Sequence, residues 1–386
     1  MCRWFDPGTR YSIILSAMAP IPYSMAVGSW LPHSETFIYD QIVRAERYLP
    51  SVLARDLVPS RSAFPFERVT ALSSPQLFAY YAFYRAPRFE RALRESGARF
   101  IHAHFGTNGA LIAPTAKRLG LPLVTTLHGI DIGVLLGRVP PQYWFYKRSY
   151  RQMLEVSNLL LPASQELAER LVDLGADPGK IQVHRLGVDL STLQYVARPS
   201  RAARFLMIGR MVEKKGFEYG LRAFAQAKEK MTGSTITLVG DGPLLEPLKE
   251  LSLDLGIGQQ VEFTGSLPRY LVHQRLLESD VLLAPSVVAG NNDRDSGLIV
   301  LKEAGATGMA SIGTYCGGLP EIIDDGTTGY LVPQRSVASM AEAMVTLAND
   351  ESLRQRMGVE ARQKMEREYD AVEQNRILER HFDSLL

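Results

Sequence analysis

Between Asp280 and Glu321 the chain reads as an apolar run, a polar loop, a second apolar stretch of helical length and another short apolar run before a glycine-rich loop. The first run is Val281-Leu-Leu-Ala-Pro-Ser286. The loop and helix carry Asp293-Arg-Asp295-Ser-Gly-Leu-Ile-Val-Leu-Lys-Glu303-Ala, and the second loop is Gly317-Gly-Leu-Pro-Glu321. Strand, loop, helix and strand in that order require parallel strands joined by a crossover helix. Ligands of such sheets bind at the carboxyl ends of the strands. Were residues 295 to 303 all helical, their two carboxylates would stand roughly 12 Å apart along the axis. That separation suits the two ends of one elongated ligand and exceeds the roughly 5 to 9.5 Å of a glycosidase pair.

The same alternation runs through the chain. In the first half it predicts strands at Ser24–Trp30, Arg99–His104, Leu123–His128, Asn158–Pro162 and Ile181–Leu186. A helix is expected from Glu35 to about Leu49, capped by Ser34, and another follows a Gly106–Gly109 turn as far as Leu119. The stretch from Leu190 to Arg204 is polar and irregular. A second series follows at 204–209, 234–240, 261–265, 280–284 and 309–314, and from Ser336 the composition is helical. At 386 residues the chain exceeds one core. The domain reading is an N-terminal extension 1–23, a Rossmann-like domain 24–190, a linker 191–204, a second Rossmann-like domain 205–368, and a final helix 369–386 returning toward the first domain. The fold class is α/β, with the two domains facing each other across a cleft.

Composition narrows the function classes. A net charge of +2 is too small to argue for nucleic acid, and Cys2 and Cys316 supply neither a disulfide framework nor metal-ligand spacing. Arg3, Arg10 and the apolar Tyr11–Ala19 stretch loosely follow a signal peptide, but Pro20 and Pro22 interrupt it. The reading is an extension ahead of a strand, with Met25 as an alternative start. No segment has transmembrane length.

Local motifs leave more than one reading open. Gly209-Arg210…Lys215-Gly216 puts two cations after a strand, suited to a diphosphate or equally to a solvated turn. It is neither a Walker loop nor a dinucleotide fingerprint. Val239-Gly-Asp-Gly-Pro243 is a strand end and tight turn, either structural or allowing close approach to a nucleotide, and Val261–Leu267, with Gly265, ends a strand where backbone groups could read a base. Ser296, Gly297 and Leu298 would offer N–H groups at a helix start. Beside phosphate, Asp295 is better suited to sugar hydroxyls and Glu303 to ribose hydroxyls; the bland alternatives are a capping acid and a surface Glu. His102, His104 and His128 lie at strand ends without metal spacing, as cleft or core histidines. The aromatic and basic stretches Phe78–Arg91 and Tyr143–Arg151 fit core helices or helices lying on an anionic membrane.

Taken together, Gly209-Arg210…Lys215-Gly216, Val239-Gly-Asp-Gly-Pro243, Phe263-Thr-Gly265, Asp295-x7-Glu303-Ala304 and Gly317-Gly-Leu-Pro-Glu321, followed by Gly326–Val332, resemble the donor domain of family 4 retaining nucleotide-sugar glycosyltransferases. These have the GT-B fold. Leu31–Ile38, His102-Ala-His-Phe-Gly106 and Leu127–Asp131 resemble the branch that builds bacterial exopolysaccharides such as colanic acid. The resemblance runs from about residue 24 to the end. It implies that Arg210 and Lys215 hold the donor diphosphate, Glu303 the ribose and Asp295 the transferred sugar, with His128 reaching that sugar from the acceptor side. Ser296, Gly297, Leu298 and Gly265 would complete the nucleotide site.

The implied reaction is retaining transfer from a UDP- or GDP-sugar to a glycan or lipid-linked acceptor. It needs no resident cofactor and no metal. It would take place in the cytoplasm, with peripheral contact at the inner membrane face and no nucleic-acid partner. The family usually has Glu and Gly where this chain has Asp295 and Ser296, and Pro or Gly where it has Leu298. A weakened nucleotide-sugar binder, or an epimerase or phosphorylase on the same fold, is therefore the alternative.

Overall fold

A computed structural model describes residues 19–31, 35–59, 62, 64–136, 144–198 and 202–386. The chain divides into two compact units. One holds the described residues up to Thr126 with Phe145–Leu161 and Asn375–Leu386, and the other holds Leu127–Trp144 and Pro162–Gln374.

The sheet of the first unit contains β1 (Ile21–Trp30), β2 (Tyr48–Leu57), β3 (Val69–Ala71), β4 (Ile101–His104), β5 (Leu123–Leu127) and β6 (Leu159–Pro162), in the order β3-β2-β1-β4-β5-β6. β1 pairs in parallel with β2 from Ile21↔Tyr48 to Trp30↔Leu57, and with β4 at Ser24↔Ile101. β1 starts three residues ahead of the expected strand, and Met25 lies within it, fully buried. Tyr23 stacks on Phe100 at 5.0 Å, and Phe100 lies 4.7 Å from Phe382 of the final helix Ala371–Asp383. Burying such rings contributes roughly 1.5–3 kcal/mol per large apolar side chain. The Glu379 carboxylate then accepts from the Glu46 and Arg47 backbone N–H groups at 2.8 and 3.1 Å.

The second unit contains β7 (Arg204–Ile208), β8 (Thr235–Val239), β9 (Val261–Gly265), β10 (Val281–Ala284), β11 (Ala310–Thr314) and β12 (Gly329–Val332), in the order β12-β11-β10-β7-β8-β9. All pairings are parallel. Helices cover both faces, so β10 is an unbroken apolar run in which each residue is buried. One core joins Phe205, Met207, Leu238, Leu283 and Ile312 to the helices Phe217–Ala227 and Val337–Asn349. The other joins Leu206 and Leu282 to Ile299–Ala306 and the helix Glu351–Glu368. Strand order reverses between β7 and β10, and at such a switch point the two outgoing loops part and leave a crevice.

Four local expectations need correction. The helix expected from Glu35 to Leu49 spans Thr36–Val43, and Tyr48 and Leu49 already belong to β2, because β1 offers its whole length for pairing. The Ser34 cap lies outside the described residues. Gly106–Gly109 is the first turn of the helix Gly106–Leu119 rather than a turn before it. Ile181–Leu186 forms no strand; of these residues only Ile181 makes a bridge. The helix at the two carboxylates spans Ile299–Ala306, so Asp295 lies in the preceding loop and the 12 Å helical spacing does not apply.

Candidate functional site

The site is built on the two loops that leave β7 and β10. After β7, Gly209 leads to the exposed Arg210 and a 3-10 turn, Glu213–Lys215. Gly216 closes the turn at φ +61°, where a side chain would collide with the Pro285 carbonyl. Only glycine lets the two loops approach so closely. The Val287 N–H donates to the Lys214 carbonyl at 2.9 Å and continues the contact.

Three consecutive side chains of this turn grip the β10 loop. Glu213 accepts from the Gly290 N–H at 3.0 Å. Lys214 Nζ lies 3.1 Å from Asp293 and 3.8 Å from Asp295 Oδ1, and Lys215 Nζ lies 3.0 Å from Asp295 Oδ1. The other oxygen of Asp295 accepts from Ser286 Oγ at 2.6 Å. Thr314 at the end of β11 donates to the Ser286 carbonyl and anchors that hydroxyl's residue to the sheet. Burial pushes the Asp295 carboxyl upward, but Lys215, Lys214 and the Ser286 hydroxyl more than offset this and hold it below the usual carboxylate range.

The β11 loop packs beneath. The Gly318 N–H donates to the Asp295 carbonyl at 3.1 Å, and a side chain on Gly317, at φ +53°, would strike the same carbonyl. Cys316 is buried beside them, and burial first, then the Asp295 charge, pushes its thiol up to about 12. It is no nucleophile near neutral pH.

Ser296 Oγ donates to the His128 carbonyl at 2.7 Å. The segment after β5 is fastened by buried Asp131, which accepts from the Gly129 N–H at 2.8 Å and the His128 N–H at 3.3 Å. Burial, with the nearby Lys302 ammonium, pushes the His128 imidazole down to about 3. A neutral imidazole can exchange hydrogen bonds with a sugar hydroxyl and carries no charge.

Lys302 is buried on the helix Ile299–Ala306, where Nζ donates to the Leu186 carbonyl at 2.9 Å and lies 4.7 Å from the Tyr369 ring. Burial, then Arg185, lowers it to about 7.

Of the residues singled out from sequence, Lys215 and Asp295 meet directly, and Ser296 and His128 meet through one hydrogen bond. Arg210 stands on the β7 loop. Glu303 points to His273, whose Nε2 is 3.7 Å away. Leu298 is the residue that precedes the helix, and Ser296 and Gly297 lie before it, so the expected N–H groups approach the helix start without forming its first turn. Gly265 ends β9 at φ +69°, and its carbonyl accepts from the Gly240 N–H at 2.9 Å. His102 and His104 form a separate buried pair in the first unit, with rings 4.4 Å apart and His102 Nε2 at 2.7 Å from Thr126 Oγ1. Lys214, Asp293, Ser286 and His273 had no role assigned to them from the sequence. The tandem lysines and the Asp293-x-Asp295 spacing were the available signals.

Comparison with known proteins shows what the two halves of the chain are similar to. Residues 194–364 match the family described as glycosyl transferases group 1, and residues 42–187 match the glycosyl transferase 4-like domain. A Salmonella typhimurium protein described as a colanic acid biosynthesis glycosyltransferase, WcaL, is 29% identical over 72% of this chain and 68% of its own length. The amylovoran biosynthesis glycosyltransferase AmsK of Erwinia amylovora is 28% identical over 69% of this chain and 65% of its own. Among solved structures, Anabaena Alr3699/HepE in complex with UDP-glucose superposes with a TM-score of 0.75 at 19% identity, over 95% of this chain and 100% of that one. Two parallel six-stranded sheets with these matches make the fold GT-B, and the chain belongs to the group 1, family 4-like glycosyltransferases.

Proposed function

We propose that this glycosyltransferase moves a sugar from a nucleotide-sugar donor to a glycan or lipid-linked acceptor in exopolysaccharide or cell-surface polysaccharide synthesis, with retention at the anomeric carbon. The observation that carries the reading is the convergence of Lys215 and Asp295 at the β7–β10 switch point, with Arg210 on the same β7 loop. The solved neighbour with UDP-glucose and the polysaccharide-building relatives support the substrate class.

In this reading Arg210 and Lys215 take the diphosphate, Glu303 the ribose, and Asp295 and His128 the sugar. Charge grows on the leaving diphosphate as the glycosidic bond breaks, and preset cations stabilise that charge more than the ground state. Both oxygens of Asp295 already have partners, which argues against a covalent nucleophile there. Front-face attack follows, with the leaving phosphate accepting the acceptor's proton. The protein's own cations supply the charge, with no metal or resident cofactor. Peripheral contact with the cytoplasmic face of an anionic membrane fits the exposed Phe78, Phe83, Arg85, Arg88 and Arg91 of the first unit.

The test has two stages. Melting temperature is measured with UDP, GDP, ADP and their sugars, since a ligand bound only by the native state must raise it. The product made from the donor that shifts it is then examined by proton NMR for anomeric configuration. A retained configuration supports the reading and an inverted one overturns it. Binding without transfer to any glycan acceptor would favour the weakened binder, and a changed free sugar would favour an epimerase.

A further inference from the structure

Asp295 is surrounded by charge before any donor arrives. Lys215 and Lys214 face it from the β7 turn, the neutral Cys316 from the β11 loop, and Asp293 and Arg294 flank it on its own loop. If Lys215 turns to a diphosphate, Asp295 loses its nearest cation while a second anion settles close by. A buried carboxylate stripped of its partner is strongly disfavoured. Lys214 stands where it can prevent this. Its ammonium lies between Asp293 and Asp295, at 3.1 and 3.8 Å, and its backbone carbonyl is held by the Val287 N–H.

We propose that Lys214 is a positioning residue that takes over Asp295 as its charge partner when Lys215 engages the donor diphosphate. Asp293 holds Lys214 in readiness, and the Ser286 hydroxyl keeps the second oxygen of Asp295 occupied throughout. This rests on the reading that Lys215 binds the diphosphate. Two adjacent lysines then serve two anions in turn, and that division of labour lets a buried Asp share a site with phosphate.

The experiment measures inorganic pyrophosphate binding by calorimetry from about pH 5 to about pH 8, a span that brackets the carboxylates' neutralisation when they lose a partner. The proteins are the wild type, Lys214→Met, Lys214→Arg, Lys215→Met and the double variant Lys214→Met/Asp295→Asn. The ratio of two variants' affinities cancels the probe's own protonation. Without Lys214, binding should weaken by at least about tenfold near neutral pH. It should recover as pH falls, because protonating Asp295 then replaces the missing cation. Lys214→Arg should bind like the wild type, and the double variant should regain affinity and lose the extra pH dependence. Lys214→Met binding with wild-type affinity at every pH overturns the proposal. So does a loss that is equal at every pH and not rescued by Asp295→Asn. If Lys215→Met binds pyrophosphate as the wild type does, the underlying assignment of Lys215 fails instead.

Discussion

Lys215 Nζ lies 3.0 Å from Asp295 Oδ1, so the cation assigned to the phosphates and the carboxylate assigned to the sugar are each other's partners in the structure. On the proposed roles, a donor brings a second anion to a cation that already has a partner, and several measurable consequences rest on that pair and its neighbours.

Lys215→Ala should slow turnover at least tenfold, a loss of about 1.4 kcal/mol of transition-state stabilisation. The same change removes one partner of a buried ion pair, so the melting temperature should fall as well. Steady-state kinetics under conditions where the variant remains folded separates the two effects. An unchanged rate would remove Lys215 from the chemistry.

His128 should be neutral over the whole working range. With its folded value at about 3 and an ordinary value of about 6.5, the unfolded chain binds the extra proton between these limits. Stability should thus fall as pH drops through that window, and less so in His128→Asn. Transfer rate in the wild type should show no inflection near pH 6.5 that His128→Asn abolishes.

Lys302 works in the alkaline direction. Its folded value of about 7 lies below the usual lysine value of roughly 10.4, so between them the unfolded chain again holds more protons. Denaturant titrations should show the wild type gaining stability relative to Lys302→Met as pH rises through that window. A flat difference would mean that the ammonium stays fully charged in the fold.

Gly317→Ala should destabilise the second unit by about 1–3 kcal/mol, since it combines positive φ with a clash against the Asp295 carbonyl. The loss should be accompanied by weakened donor binding if Asp295 holds the sugar as proposed, because displacing its backbone displaces its carboxylate. A Gly326→Ala control, also at positive φ but with open space around it, should cost less. Chemical denaturation of both variants provides the comparison.

Phe78 and Phe83 are 69% and 66% exposed on the helix Ser74–Phe83. Replacing both with Ser should reduce co-sedimentation with phosphatidylglycerol vesicles while leaving transfer to a water-soluble acceptor unchanged. Equal sedimentation of variant and wild type would remove this helix from membrane contact.

The parallel α/β architecture was legible because strands buried on both faces must be continuous apolar runs, as Val281–Ala284 and Leu159–Pro162 are. β2 was missed for the converse reason. Its sequence Tyr-Leu-Pro-Ser-Val-Leu-Ala-Arg-Asp-Leu carries a proline and charges, and its pairing with β1 along the strand makes it one. β12, Gly329–Val332, is too short to stand out and is defined by its register on β11. Ile181–Leu186 has strand-like composition, but beyond the Ile181 bridge and the His184 N–H donating to the Pro162 carbonyl of β6 at 2.9 Å it builds no ladder among the described residues.

At the site, residue types and their order along the chain determined which chemistry was available: two cations after one strand, two carboxylates and glycines after another. Sequence by itself also determined the family, since those motifs recur in order. Tertiary structure alone decided the pairings. That Lys214 and Lys215 both face Asp295, that Ser286 caps its second oxygen, and that Glu303 meets His273 depend on how the loops and helices fold against one another in space. Charge interactions fall off with distance and strengthen with burial, and neither quantity is written in a linear order of residues.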